Sequence, residues 1–354
     1  RIHLSDSVRT SPLTGRLFLY VSDNIEETPL GVSRFNGYTF AMDIEELEPG
    51  DTADINVGTM GASQQSLSDI PDGVYVVQAV VNVYTQFSRS DGHTVWLPAI
   101  QWVRANIRNK TGNLYSKPIK VNLDSQQGYV HDIVLSEILP DLPDPEDTDL
   151  VRRVKIQSKA LTEFWGQPVY IGAVIHLPKG YMEHPEIHYP VVYRPGGGRL
   201  RAFREGQPLY EHWMSDDFPH VILVAAHMPA HYFRNGHAVN SSNMGPWDDA
   251  FMDELVPFIE SEFRIIREPW ARTLSGTSTG GWIVLALQLF HPTFFGGMWC
   301  KNPDPVDFRR FGLVNIYEDA NAYEVRPGRE RPVRRQVSGQ PTLTIREEVR
   351  EDLL

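Results

Sequence analysis

A single cysteine, Cys300, stands in a chain of 354 residues, so no disulfide can form within it and cysteine usage does not reveal its compartment. No apolar run approaches the roughly 18 residues that a membrane-spanning helix requires. Positive charge is the minority, 33 Lys and Arg against 45 Asp and Glu, for a formal charge of −12. That balance argues against nucleic acid or an anionic membrane as the main partner. Neither an internal repeat nor a low-complexity tract is present. The chain opens at Arg1 with no signal-peptide pattern, and a periplasmic or secreted setting is expected over a cytoplasmic one.

Helical periodicity is missing from residues 1–139. The segments "GRLFLYVS", "DGVYVVQAVVNVY", "PIKVNLD" and "GYVHDIVLSEIL" are instead rich in Val, Ile, Tyr and Phe, and turn residues separate them. Such spacing predicts an antiparallel β-sandwich. "PDLPDPEDTD" then combines three prolines with a run of acids, which predicts a linker over 140–150.

From residue 151 to 354 the pattern changes. "VYIGAVIHLP", "YPVVYRPGGG", "HVILVAAHMP" and "FGGMWC" have strand length, while "GPWDDAFMDELVPFIESEF" spaces Trp247, Phe251, Leu255, Ile259 and Phe263 four apart, as one face of a helix does. Pro257 should kink that helix. Strands alternating with helices predict an α/β domain with a mainly parallel sheet.

The chemistry concentrates in "ARTLSGTSTGGWIVLALQLF", residues 271–290, where Gly276-Thr277-Ser278-Thr279-Gly280 fits G-x-S-x-G. A serine held on a sharp strand-to-helix turn projects its hydroxyl outward, and side chains two positions either side would collide there. Ser278 is therefore the candidate nucleophile. The Thr279 N–H and a glycine amide of "RPGGG", Gly197 or Gly198, are candidate donors to a developing oxyanion. His227 and His231, after a strand end, and Asn240 and Trp247, in a Gly/Pro/Ser-containing loop, are candidates to line the substrate pocket.

From "SKALTEFWGQPVYIGAVIHLPKGY" through "YPVVYRPGGG", "NSSNMGPWDDAFMDELVPFIESEFR" and "RTLSGTSTGGW" to "PDPVDF", the chain resembles the esterase-D-like family of α/β-hydrolases over roughly residues 155–325. The resemblance implies a serine hydrolase that cleaves small-molecule carboxylic esters through an acyl-enzyme on Ser278, with no cofactor and no metal. It also implies that the β-rich front is an accessory domain.

One expected part is missing. The triad order in this superfamily is serine, acid, histidine, yet 76 residues follow Ser278 and eleven of the twelve histidines precede it. His291 lies at the far end of the helix that Ser278 begins, roughly 20 Å away at 1.5 Å per residue, beyond the ~3 Å that proton transfer needs. The expectation is an α/β-hydrolase domain that stops before its triad is complete, with impaired ester hydrolysis. Asp304 and Asp307, after the strand that follows the nucleophile, are candidate acids, and an upstream histidine (His227, His231 or His237) is an alternative base. His227 and His231 also have H-x₃-H spacing, but Pro229 between them disfavours a helical metal site, and none is expected. The competing reading is a non-catalytic protein that binds carbohydrate or a partner on a degenerate hydrolase scaffold.

Overall fold

The Val-, Ile- and Tyr-rich runs of the N-terminal region form strands, among them Leu13–Ser22, Gly73–Ser88, Ile119–Leu123 and Ile133–Ile138. The computed structural model describes the chain except residues 32–36, 62–65, 99–106, 127–129, 142, 144–145, 197–204, 233–234, 336–340 and 353–354. Contacts divide it into two units. The first holds Arg1–Gln86, Trp96–Pro143 and Asp307–Leu354, and the second holds Phe87–Val95 and Asp144–Val306. The chain passes between the units after Gln86, Val95, Pro143 and Val306. Residues from Asp307 onward differ from expectation, because they group with the first unit rather than with the segment before them.

Among the described residues, hydrogen bonding joins ten strands into a single sheet, where two stacked sheets were expected. The reason is the length of Gly73–Ser88. Its 16 residues pair antiparallel with Leu13–Ser22 along one edge, and with Ile119–Leu123 and then Leu114–Ser116 along the other. Alternation along Leu13–Ser22 sends Leu17, Leu19 and Val21 into the larger core with Phe40, Val77 and Leu135. Phe18 and Tyr20 pack on the opposite face with Ala41 and Val80. Both faces are covered, which explains the nearly continuous apolar run.

The second unit carries strands β1 (Val151–Ser158), β2 (Val169–His176), β3 (Val191–Arg194), β4 (Ile222–His227), β5 (Arg272–Thr277) and β6 (Gly297–Lys301). They form a six-stranded sheet in the order β1-β2-β4-β3-β5-β6. Pairing is antiparallel from β1 to β4 and parallel from β4 to β6. Helix α1 (Lys159–Trp165) is capped by the Ser158 hydroxyl, which accepts from Leu161 N–H, and ends on Gly166 at φ 68°.

The helix expected to kink at Pro257 takes another route. It starts as Trp247–Asp249, passes through a π-helical segment Ala250–Leu255 and continues as Val256–Glu262, together called α2. Val256 N–H bonds back to Phe251 C=O, one residue beyond the α-helical partner. Proline has no N–H to give and its ring crowds the carbonyl four residues earlier, so the widened turn accommodates Pro257 without ending the helix. Its apolar face is sealed, with Phe251, Leu255 and Ile259 all fully buried. Helix α3 (Thr279–Phe290) follows β5 directly and buries Ile283, Val284 and Leu287.

His176 ends β2 with 1% of its surface exposed and its ring edge-on to Trp213, 6.1 Å between centroids. Burial, with a smaller contribution from the Arg153 charge, pulls its pKa down to about 4. The unfolded chain takes up this proton near pH 6.5, whereas the folded chain resists it, so the stabilisation is present above pH 6.5 and lost as pH falls toward 4. Urea unfolding should show a loss of about 3 kcal/mol across that window. His176→Leu should flatten the pH slope.

Candidate active site

Ser278 sits between β5 and α3 at φ 57°, ψ −127°, a backbone conformation that side chains other than glycine rarely adopt. Hydrogen bonds hold it there: Ser278 N–H donates to Lys301 C=O at 3.0 Å, and Ser278 C=O accepts from Gly281 and Trp282 N–H at 2.8 and 3.1 Å. The residue is exposed. Thr279 heads α3, where the first N–H groups have no partner within the helix, so an anion placed there meets the Thr279 amide and the positive end of the helix dipole.

The glycines around the serine are sterically required. A Cβ on Gly276 would lie 1.9 Å from Gly280 O and 2.3 Å from Gly280 C, all of it backbone that cannot swing aside. One on Gly281 would meet Lys301 O at 2.7 Å, so the start of α3 lies directly on β6. Gly276→Ala is accordingly expected to destabilise the second unit by about 1–3 kcal/mol, at the upper end of overpacking effects. It should also remove any Ser278-dependent reactivity; chemical denaturation and active-site labelling check the two parts.

Asp304 comes to the serine from the segment after β6. Ser278 Oγ donates to Asp304 Oδ1 at 3.3 Å, and Thr279 Oγ1 donates to Asp304 Oδ2 at 2.6 Å. The second contact is the shorter one and fixes the carboxylate. Asp307 is elsewhere: it caps the short helical turn Phe308–Arg310 and pairs with Arg309 at 3.0 Å. Gly197 and Gly198 lie outside the described residues. Their neighbour Gly196, at φ 77°, packs on α3, where an added Cβ would meet Ile283 Cδ1 at 2.7 Å and Gly280 Cα at 3.5 Å.

The proposed pocket residues separate. His231 lies between aromatic rings, 4.1 Å from Phe87 and 4.5 Å from Trp165. His227 ends β4, in register with Gly172. Trp247 is fully buried, gives its indole N–H to Met244 C=O at 2.9 Å, and fills the space a Gly236 side chain would need. Asn240 caps α2: its Oδ1 accepts from Asp248 N–H at 3.0 Å and its Nδ2 donates to Asp249 at 2.7 Å. It also lines an open cleft of about 420 Å³ with Phe164, Ser241, Ser242, Gly245 and Pro246.

His291 closes the far end of α3 and is held by Asp248 at 2.8 Å. His237 lies beside α3. Its ring lies edge-on to Trp282, 6.4 Å between centroids, and Trp282 is one helical turn beyond Ser278. Burial lowers the His237 pKa, while the Asn235 main chain and the Asp304 charge raise it in part. Sequence reasoning grouped His237 with His227 and His231; only the Asn235-Gly236 turn signal before it hinted at a different placement. Among the described residues, no group of three or more His, Cys, Asp or Glu side chains converges as metal ligands.

Residues 169–304 match the family model described as "Putative esterase". That span includes β2 to β6, Ser278 and Asp304. The protein YjcH of Bacillus subtilis (strain 168), described as uncharacterized, is 24% identical over 154 residues, 43% of this chain and 61% of its own length. A solved ferulic acid esterase is 21% identical with a TM-score of 0.35, covering 42% of this chain and 57% of that one. An IroE-like serine hydrolase from Shewanella oneidensis is 22% identical with a TM-score of 0.31, covering 44% and 51%. The chain thus spans about three fifths or less of the length of each of these relatives.

Proposed function

We propose that the second unit is a serine hydrolase of the α/β-hydrolase type, acting on small carboxylic esters through an acyl-enzyme on Ser278, with the β-rich unit as an accessory domain. The observation that carries this reading is the strained, exposed Ser278 at the strand-to-helix turn, with Gly276 and Gly280 in mutual backbone contact. The sheet order, with parallel strands on both sides of β3 and the serine at the C-terminal end of β5, supports it. The family match over residues 169–304 is consistent with it.

In this reading the Ser278 oxygen bonds to the ester carbonyl carbon, the Thr279 N–H faces the developing oxyanion, Asp304 is the acid of the site, and the ester C–O bond breaks as the alcohol leaves carrying the proton lost by the serine. Water then releases the acyl group. A fluorophosphonate probe tests the assignment, with an adduct on the peptide containing Ser278 as the expected result. A folded sample that stays unlabelled sinks the hydrolase reading and favours a non-catalytic binding role.

A further inference from the structure

A polar side chain buried in a sheet needs a partner, because a donor without an acceptor loses its hydration for no return. Two buried amides of the first unit follow the rule. Gln78 donates to Ser116 C=O at 2.8 Å and accepts from Leu30 N–H at 3.1 Å. Asn113 donates to Ile107 C=O at 2.9 Å and accepts from Val83 N–H at 3.1 Å. A third group departs from it. Asp43, Arg16 and Asn82 stand side by side in register on the strands Tyr38–Leu47, Leu13–Ser22 and Gly73–Ser88. Lys110, which follows the short helical turn Ile107–Asn109, reaches the end of that row and donates to Asn82 Oδ1 at 2.8 Å.

We propose that Lys110, Arg16 and Asn82 form a binding site for a small carboxylate, whose oxygens accept from Lys110 Nζ, Arg16 Nε and Asn82 Nδ2. The site belongs to the first unit and stands independently of the ester chemistry of the second.

The donors carry the first part of the argument. Lys110 and Asn82 are 7% and 9% exposed. An ammonium has three N–H groups, and Asn82 takes one of them. No carboxylate among the described residues pairs with Lys110, and burial pulls its pKa down to about 8 with no counter-charge to oppose it. Arg16 Nε is buried and makes no hydrogen bond among the described residues. Asn82 spends its oxygen on Lys110, which leaves its NH₂ as the donor.

Register brings these donors together. Residues directly opposed on antiparallel strands have Cβ atoms about 5 Å apart on one face, so the Arg16 and Asn82 side chains rise next to each other. Lys110 Nζ is already bonded at Asn82.

Charge then selects the ligand. Asp43 is engaged by Arg16 Nη1 at 2.8 Å, so two cations face one carboxylate and a single positive charge is left over. A monoanion neutralises it, whereas doubly charged phosphate or sulfate overcompensates and water contributes no charge. A carboxylate also offers two oxygens with about four acceptor sites, enough for all three donors.

Calorimetric titration and thermal unfolding of the full chain with sodium acetate test the site, against sodium chloride at equal ionic strength and at a pH below 8, where Lys110 keeps its proton. One acetate should bind per chain, and a tenfold excess over Kd should raise the unfolding midpoint by about 3–6 °C. Lys110→Met keeps the apolar stem and removes the charge, so acetate affinity should fall by about tenfold or more. Asn82→Asp builds a carboxylate into the row beside both cations. That variant should unfold at a higher temperature than the wild type without acetate and should no longer respond to it. Should Lys110→Met fail to fold, Asn82→Asp decides alone. A wild type without an acetate-dependent shift, or an unchanged shift in Asn82→Asp, overturns the site. Tighter binding of phosphate or sulfate than of acetate overturns the choice of a carboxylate.

Discussion

Ser278→Ala should reduce kcat/KM for p-nitrophenyl acetate by on the order of 10³ or more, because no neighbouring group can replace the attacking oxygen. The Thr279 N–H and the helix dipole remain in that variant, so a small residual rate above buffer is compatible with it. Ser278→Gly separates chemistry from strain. Glycine accepts φ 57°, ψ −127° freely, so this variant should equal Ser278→Ala in activity yet gain about 1 kcal/mol of stability over it. A serine retained on such a turn at a cost in stability, in a variant series with that pattern, points to a function for the hydroxyl. Kinetics and urea unfolding of the three proteins together check both halves. A wild-type rate equal to that of Ser278→Ala would leave only the structural turn.

Features with a local steric or periodic cause were legible in the sequence. The glycines at 276 and 281 announce backbone contacts that no side chain can share, and "WIVLALQLF" announces a helix packed on most of its circumference. Asp304 could be nominated because it follows the strand next to the nucleophile, but its contact with the Thr279 hydroxyl could not, since 25 residues separate them. Pro257 signalled a disturbed helix, while the form of the disturbance depended on whether the flanking turns were packed firmly enough to widen rather than break. The sandwich expectation met a similar limit. Alternation shows that both faces of Leu13–Ser22 are covered, but not that one 16-residue strand carries partners along both edges.

The histidine question shows the same limit on a longer scale. H-x₃-H spacing drew attention to His227 and His231, yet Phe87, brought in from the tip of a hairpin, packs against His231 with Trp165. His237 has no distinguishing neighbours in sequence beyond a turn dipeptide. Its placement involves Asn235, whose side-chain oxygen accepts from the His237 N–H.

Below the site, a buried ion pair sets the second large expected effect. Glu260 on α2 and Arg272 at the start of β5 are 6% and 7% exposed. Their contact is two-pronged, Arg272 Nε to Oε1 at 2.7 Å and Nη2 to Oε2 at 2.9 Å. The Tyr193 hydroxyl donates to Oε1 at 3.0 Å; burial and then the Glu260 charge push its pKa well up, so it remains a neutral donor. Arg272 also lies 4.1 Å over the Phe294 ring. Glu260→Ala strands the guanidinium without a counter-charge and empties the partner of Tyr193, so unfolding free energy should drop by about 3–5 kcal/mol. Removing both charges should cost far less than that. Glu260→Leu with Arg272→Met should recover most of the loss, since a well-packed apolar pair avoids the desolvation of two ions. Arg272 opens the strand whose other end carries Ser278, six residues on, so the pair acts on the site by fixing where β5 begins. Molecules of Glu260→Ala that remain folded should therefore keep their kcat, and a double-mutant cycle in urea with parallel active-site titration would show whether the loss lies in stability alone.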